Sequence, residues 1–320
     1  MQNQRILVTG GAGFIGSHLV DALVQASNDI IVIDSLISST TKYIQTYIDN
    51  NTIQFIHSDI RDRNTVMGIE KPIDYIFHFA ADPDVRESVI NPLTSFEHNV
   101  KGTLNILELA RHNKVKGFVF ASSGGTLYGD AKSFPILETS LLKPISPYGA
   151  SKAAGEMYIS AYANVYKFKA VSLRYANIFG ERSNHGVSYD FFQKLSKNPR
   201  ELEILGNGEQ KKSYLHVSDC ISASLKAADN LSTQIPYYDC YNIGSEQWIS
   251  VNELARLIEK FMSLESSRVN HRFTGGPKGW EGDVHLMLLS IQKIKDLGWK
   301  PKMSFEEGMK KYIRWMQTST

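Results

Sequence analysis

Residues 5–34 read RILVTGGAGFIGSHLVDALVQASNDIIVID, which places a glycine-rich turn between two apolar runs. The first run is Arg5–Thr9, and the second covers residues 30–33 and ends at Asp34. Between them, apolar residues at steps of three and four predict a helix over residues 14–26. Runs that are apolar throughout are typical of strands covered on both faces of a parallel sheet. The stretch therefore predicts a β-α-β unit at the start of the chain.

The same alternation continues outward from this unit. Further apolar runs predict strands, and segments with helical spacing predict helices, the longest at 92–112 and 146–166. Alternating strands and helices over residues 1–176 predict a doubly wound α/β fold with a parallel sheet. Residues 177–320 mix short strands (202–205, 241–243), helices and glycine-rich turns, which predicts a smaller C-terminal α/β lobe. Because no Pro/Gly/Ser linker separates the two parts, we expect one compact, interleaved unit.

Composition excludes several classes of protein. The 320 residues allow about two domains, and 35 basic against 33 acidic residues leave a net charge of +2, which disfavours nucleic-acid and membrane-surface partners. Only Cys220 and Cys240 are present, so a disulfide framework and a four-thiolate zinc site are excluded. Histidines at metal-ligand spacing, a signal peptide and a run of ~18 apolar residues are all absent from the sequence. We therefore expect a cytoplasmic protein without a metal.

The glycine-rich turn has the features of a dinucleotide site. Gly10 permits a tight turn, Gly13 lets the backbone approach a pyrophosphate, and Gly16 lets helix and strand pack closely. The start of the helix then offers N–H donors to phosphate. Asp34 ends the next strand, where a carboxylate binds ribose hydroxyls and repels a 2′-phosphate. The pattern predicts NAD rather than NADP as the cofactor.

A tyrosine and a lysine, Tyr148 and Lys152, begin the helix predicted over 146–166. Their spacing of four places both side chains on one helix face. A free tyrosine has a pKa near 10 and is a poor base at pH 7, but a neighbouring ammonium favours its phenolate. The pair therefore suits removal of a proton from an alcohol while a hydride leaves for a nicotinamide cofactor.

Together these motifs resemble the extended short-chain dehydrogenases/reductases, and within them the archaeal-type branch of the UDP-glucose (UDP-galactose) 4-epimerases. The strings that carry the resemblance are TGGAGFIGSH at 9–18, FHFAA at 77–81, HNVKGTLNILE at 98–108, SSGGTLYG at 122–129, SPYGASK at 146–152 and RYANIFG at 174–180. The resemblance implies a Rossmann-type fold, bound NAD, a UDP-sugar substrate and a homodimer built on the helices at 92–112 and 146–166. The implied reaction is reversible inversion at C4 through a 4-keto sugar.

The resemblance also implies roles for individual residues. Those expected to bind the cofactor, besides the three glycines, Asp34, Tyr148 and Lys152, are Phe14, Ile15, Asp59, Ile60, Phe79, Ala80, Ala81, Asn99, Ser122 and Tyr175. Asp59 could instead cap a strand end, and Asn99 could instead bond helix backbone. Those expected to bind the substrate are Arg86, Ser123, Asn177, Lys212, Lys278 and Met287. Lys212 and Lys278 stand close to places where relatives have arginines, although each could be a solvated surface residue.

Gly124 departs from the family pattern. Relatives have a Ser or Thr there that hydrogen-bonds the reacting sugar hydroxyl, and glycine has no side chain to do so. We expect Ser123 or Thr126 to supply the hydroxyl, with Ser122, or direct action of Tyr148, as alternatives. Because Gly125 and Thr126 lack the carboxylates that dehydratases carry at these places, dehydration is disfavoured.

Several readings of the function stay open at this point. Met287 stands where some relatives have a Tyr that closes the pocket to N-acetylated sugars, and a flexible Met can leave room for them. Another epimerase or reductase acting on UDP-GlcNAc or on a dTDP- or GDP-sugar is the main alternative. A non-catalytic NAD-binding protein is the weakest.

Overall fold

The computed structural model describes residues 1–69, 72–231 and 237–319. Its strands are β1 (Arg5–Thr9), β2 (Asp29–Asp34), β3 (Ile53–His57), β4 (Tyr75–His78), β5 (Gly117–Ser123), β6 (Lys169–Tyr175), β7 (Asn177–Phe179), β8 (Glu201–Ile204), β9 (Lys211–Lys212), β10 (Tyr214–His216), β11 (Tyr238–Ile243), β12 (Ile249–Ser250), β13 (Asn270–Phe273) and β14 (Leu286–Met287). Its helices are α1 (Phe14–Gln25), α2 (Gln45–Asp49), α3 (Arg63–Met67), α4 (Val85–Ile90), α5 (Pro92–Ser95), α6 (Gly102–Asn113), α7 (Gly124–Tyr128), α8 (Pro147–Tyr166), α9 (Val187–Lys197), α10 (Val217–Asn230), α11 (Val251–Phe261), α12 (Gln292–Asp296) and α13 (Phe305–Ser319).

Seven strands form the main sheet in the order β11-β6-β5-β4-β1-β2-β3. Every neighbouring pair is parallel. The chain winds from β1 to β3 in one direction and from β4 to β11 in the other, so the order reverses between β1 and β4. In such sheets the ligand crevice lies outside the carboxyl ends of the strands at this reversal. The doubly wound, Rossmann-type α/β fold predicted from the sequence is confirmed.

Both faces of the sheet are covered by helices. Along β1, Ile6 and Val8 join a core that contains α1 and α10 residues, whereas Leu7 joins a second core that contains α6 and α8 residues. All three side chains are fully buried. This two-sided burial explains why the strands are apolar throughout rather than alternating.

The chain returns to the sheet after residue 177. Residues 241–243, which the sequence places in the C-terminal lobe, are the end of β11, and β11 pairs with β6 along Tyr238–Ile243. A boundary at residue 177 therefore does not separate the sheet from the lobe. The reason is that a short apolar strand carries no local mark of the sheet that it joins. The lobe has its own core, which includes Phe191, Leu254 and Ile313.

The long helix predicted over 92–112 is divided into three segments. A π-helical turn over Phe96–Lys101 separates α5 from α6. Such turns insert one extra residue and occur frequently at functional sites. Here the turn contains Asn99, whose side chain is buried. Apolar spacing alone predicts a continuous helix because one inserted residue disturbs the periodicity very little.

Neither a membrane-spanning helix nor a metal-ligand cluster is found in the described residues. None of their helices is both long and apolar enough to cross a membrane. Nor does the described part of the chain contain a cluster of histidine, cysteine and acidic side chains that could hold a metal ion.

Candidate active site

The glycine turn leaves no room for side chains. Gly10 has a φ of +70°, and a Cβ there would stand 2.7 Å from the backbone nitrogen of Ala80. A Cβ on Gly16 would lie 2.0 Å from the carbonyl oxygen of Gly10. Gly13 caps α1 without a side-chain hydrogen bond, so the first N–H groups of the helix, at Phe14 and Ile15, remain available to phosphate. The cradle fits the diphosphate of NAD.

Asp34 is fixed beside this turn. One carboxylate oxygen accepts a hydrogen bond from the Ala12 backbone N–H at 3.0 Å. The other accepts from the Leu36 N–H at 2.9 Å and from the Ser39 hydroxyl at 2.8 Å. The carboxylate therefore has a set position at the end of β2, where a ribose would meet it.

Asp59 and Ile60, predicted to contact the cofactor, have their side chains engaged within the protein. The Asp59 carboxylate accepts hydrogen bonds from the Arg61 backbone at 2.8 Å and from its guanidinium at 2.7 Å. Burial opposes the charge of Asp59, but these bonds outweigh it and lower the pKa of the carboxyl. Ile60 is buried against Gly102 of α6. These contacts are those of a carboxylate that caps the chain after β3, and the contact of Asp59 with the cofactor stays a prediction.

A buried histidine that the sequence analysis missed directly precedes Phe79, Ala80 and Ala81, which are predicted to line the cofactor. His78 Nδ1 lies 2.7 Å from the Thr9 hydroxyl, and its Nε2 lies 2.9 Å from the Thr103 hydroxyl. Thr103 donates its own proton to the Asn99 carbonyl, so Nε2 is the donor and Nδ1 the acceptor. Burial, together with the charge of Lys152, lowers the pKa of His78 to about 3, which keeps the ring neutral. A polar residue within the apolar FHFAA run was the available signal.

The Asn99 side chain connects the backbone of Asp82, which follows Ala81, to Ser151 on α8. Its carbonyl oxygen accepts from the Asp82 N–H at 2.8 Å, and its amide donates to the Asp82 carbonyl at 3.1 Å and to Ser151 Oγ at 3.0 Å. The π-helical turn presents this side chain to both partners. The contacts support a positioning role rather than a bond to backbone of its own helix.

Tyr148 and Lys152 stand on α8, directly behind the end of β5. Ser146 caps the helix by accepting a hydrogen bond from the Gly149 N–H at 3.1 Å. Lys152 Nζ donates to the Ala121 carbonyl at 2.9 Å and lies 5.8 Å from the centre of the Tyr148 ring. Burial lowers the pKa of Lys152 to about 8, against opposing effects of nearby carboxylates. The ammonium is therefore mostly charged at pH 7.

The hydroxyls of Ser123 and Thr126 lie next to the Tyr148–Lys152 pair. Burial and the charge of Asp82 raise the pKa of Tyr148, and a hydrogen bond with Ser123 opposes that rise only in part, so the lower pKa expected from the Lys152 ammonium is not found. Ser123 Oγ in turn accepts from the Thr126 hydroxyl at 2.7 Å. The Ser122 hydroxyl donates instead to Glu156 at 2.6 Å. Of the hydroxyls considered from the sequence, Ser123 and Thr126 thus lie together with Tyr148, and Ser122 is engaged elsewhere.

Leu289 fills the space beside Gly124. A Cβ on Gly124 would lie 2.3 Å from Leu289 Cδ1 and 3.0 Å from the carbonyl oxygens of Arg174 and Tyr175. A serine or threonine therefore does not fit here while Leu289 keeps its place. Tyr175 lies beside this turn through its backbone carbonyl. Its side chain is buried, and its hydroxyl is hydrogen-bonded to Ser224 at 2.8 Å.

The predicted substrate residues fall into separate settings. Arg86 stacks on Trp280, with its guanidinium carbon 4.3 Å from the ring centre. Lys212 is paired with Asp283, and Lys278 with Asp130. Asn177 begins β7 beside β10, and Met287 is buried with its Cγ 3.6 Å from the place of a Cβ on Gly125.

Comparison with known proteins identifies the family of the chain. The model of the NAD dependent epimerase/dehydratase family matches residues 6–244. The chain belongs to this family. A UDP-glucose 4-epimerase of Mycolicibacterium smegmatis is 30% identical over 321 residues, with 99% of each chain covered. As a member of an NAD-dependent enzyme family, the chain uses NAD as its cofactor.

Solved structures of the family resemble the whole chain. A UDP-glucose 4-epimerase of Thermotoga maritima with UDP-glucose is 35% identical, has a TM-score of 0.89, and is matched over 98% of this chain and 99% of that one. A UDP-N-acetylglucosamine 4-epimerase of Methanobrevibacter ruminantium M1 in complex with UDP-N-acetylmuramic acid is 28% identical, also has a TM-score of 0.89, and is matched over 100% of both. The epimerases that this chain resembles thus differ in their sugars.

Proposed function

We propose that the enzyme inverts C4 of a UDP-hexose reversibly, interconverting UDP-glucose and UDP-galactose. The observation that carries the proposal is the grouping of Tyr148, Lys152 and the Ser123–Thr126 hydroxyl pair at the end of β5. The same turn has Gly125 and Thr126 at the two places where a dehydratase would need carboxylates. This set of groups can move an alcohol proton, but it offers no acid to eliminate water.

Tyr148 is the base in this proposal. Its phenolate, which the Lys152 ammonium stabilises, takes the proton of the sugar 4-hydroxyl and becomes a neutral phenol. NAD, held by the turn at Gly10–Gly16 and by Asp34, would supply the acceptor and donor of the C4 hydride. Ser123 hydrogen-bonds the reacting oxygen, so that the 4-keto sugar is held while it turns its other face. Tyr148 then gives the proton back, and the cycle leaves no net redox change.

Removing the relay hydroxyl should slow turnover. We expect Ser123→Ala to lower kcat by about 100-fold, because a general acid–base relay contributes roughly 10²–10⁴-fold. Thr126→Val should cost about tenfold, since Thr126 acts only through Ser123, and Thr126→Ser should restore the rate. Steady-state kinetics on UDP-galactose measure each effect. Nearly full turnover in both Ser123→Ala and Thr126→Val would show that Tyr148 works without them.

The sugar substituent at C2 separates the proposed substrate from the nearest alternative. A UDP-N-acetylhexosamine is the second candidate, because flexible Met287 lies against Gly125 where a rigid ring would close the pocket. The purified protein, without added NAD, is incubated with UDP-galactose and separately with UDP-N-acetylgalactosamine, and the C4 epimer is followed by NMR. Faster conversion of UDP-galactose supports the proposal, faster conversion of the N-acetylated sugar supports the alternative, and net NADH consumption would indicate a reductase.

We also propose a homodimer through α5, α6 and α8. Of these segments, α5 exposes Leu93, the π-helical turn between α5 and α6 exposes Phe96, and α8 exposes Met157, Tyr158, Val165 and Tyr166. Patches of this kind mark protein interfaces. In light scattering we expect the mass of two 36.0-kDa chains for the parent protein, and of one chain for Met157→Arg. Ile37→Arg, at an exposed apolar residue outside this face, is the control and should stay dimeric; dimeric Met157→Arg would contradict the interface.

A further inference from the structure

Three cations that the sequence associates with the substrate differ in how their charges are balanced. Lys212 Nζ lies 2.6 Å from an Asp283 carboxylate oxygen, and Lys278 Nζ lies 2.7 Å from Asp130. Arg86 has no carboxylate within 4.0 Å in the described part of the chain, and its side chain is exposed. Both lysine charges are therefore compensated before any ligand binds, and the guanidinium charge is not.

Trp280 holds this guanidinium in place. Its ring centre lies 4.3 Å from the Arg86 guanidinium carbon and 5.4 Å from Lys212 Nζ, so one indole carries two cations. The loop that bears the ring is closed on itself, since Asp283 accepts a hydrogen bond from the Gly279 N–H at 3.1 Å and donates its own N–H to the Trp280 carbonyl at 3.1 Å. The indole Nε1 is buried and has no partner among the described residues. Two cations on one ring, one of them unbalanced, favour an anion beside them.

This group lies next to the reacting centre. Lys212 and Met287 are paired residues on the neighbouring parallel strands β9 and β14. Met287 packs over Gly125, which belongs to the same short turn as Ser123 and Thr126. A chain of contacts through Trp280, Lys212 and Met287 therefore links the Arg86 guanidinium to the catalytic turn.

We propose that Arg86, positioned on Trp280, is the principal contact for the diphosphate of the substrate, and that Lys212 and Lys278 mainly hold the loop through their carboxylates. The inference rests on the proposed nucleotide-sugar substrate. It assigns to Trp280 a positioning role: the ring fixes the guanidinium fork so that it can make paired hydrogen bonds to phosphate oxygens. Neither the number of cations nor their place in the sequence distinguishes Arg86 from the lysines.

The test compares a nucleoside with its diphosphate on the holoenzyme. Dissociation constants for UDP and for uridine are measured by calorimetry. Arg86→Gln should weaken the binding of UDP by about 30-fold and the binding of uridine by less than about threefold. The reason is that the charge-assisted hydrogen bonds that are lost are made only to phosphate. Lys278→Gln is the matched control, because Lys278 is an ion-paired cation in the loop that bears Trp280. This variant should weaken the binding of UDP by less than about threefold. Trp280→Leu should weaken the binding of UDP by about tenfold, and Trp280→Phe, which keeps an aromatic ring, should recover most of the lost affinity.

Two results would overturn the assignment. One is an equal loss of UDP and uridine affinity in Arg86→Gln, and the other is a loss of UDP affinity in Lys278→Gln as large as that in Arg86→Gln. If the parent protein binds no UDP, the proposed nucleotide is wrong, and the same variants are titrated with dTDP and GDP against their nucleosides. Selective loss of whichever diphosphate binds would support Arg86, and unselective loss would contradict it.

Discussion

We expect Tyr148→Phe to lower the rate of epimerisation by about 10³-fold, because it removes the phenolic oxygen that takes the substrate proton as a phenolate and returns it as a hydroxyl. The ring stays, so the packing of α8 against β5 and the Lys152 hydrogen bond to Ala121 should survive. The purified variant should therefore retain the NAD content and the melting temperature of the parent protein. Steady-state kinetics, absorbance of the cofactor released on denaturation, and a thermal melt measure the three quantities.

Tyr158 offers a matched control on the same helix. Its side chain is 44% exposed on the face proposed for the dimer, and Tyr158→Phe keeps that apolar ring while removing one hydroxyl from α8. This variant should keep the parent rate. An activity of Tyr148→Phe within tenfold of the parent would show that another group takes the proton.

The second large effect concerns stability. The Arg174 guanidinium and the Glu156 carboxylate form a buried ion pair at 2.7 Å directly behind the active site. Removal of one partner leaves an uncompensated buried charge, so we expect Arg174→Met to lower the free energy of unfolding by about 3–5 kcal/mol. Arg174 also donates to the Tyr128 hydroxyl at 2.8 Å and to the Glu138 carbonyl at 2.9 Å, and both bonds are lost. Urea denaturation followed by circular dichroism measures the change.

A double variant separates the charge from the packing. In Arg174→Met/Glu156→Leu neither charge remains, so this protein should be more stable than Arg174→Met alone. Ser122 and Tyr238, which donate to Glu156, would then lose a partner, and recovery should be incomplete. A double variant less stable than the single one, or a change below about 1 kcal/mol in Arg174→Met, would contradict the role given to the ion pair.

The features that sequence predicted best depend on neighbours along the chain. The turn at Gly10–Gly16 and the carboxylate of Asp34 are set by one β-α-β unit, and each is found where its spacing indicates. Tyr148 and Lys152 share a face because one helical turn separates them. Patterns of this kind can be read without knowledge of the distant chain.

What sequence could not predict depends on segments far apart in the chain. Leu289 occupies the space beside Gly124 although 165 residues separate them (289 − 124 = 165). In the same way, Asp283 and Asp130 neutralise the two lysines, which no local pattern around Lys212 or Lys278 reveals. Gly124 thus packs against Leu289, and the hydroxyl pair of Ser123 and Thr126 lies beside it.

One measurement tests the central proposal most directly. UDP-galactose labelled with deuterium at C4 is converted by the purified enzyme, and the position of the label in the product is read by NMR. Return of the hydride to the carbon that it left predicts UDP-glucose with deuterium retained at C4 and none at C6. Deuterium found at C6, or replaced by solvent hydrogen at C4, would contradict epimerisation through a 4-keto sugar held in the site.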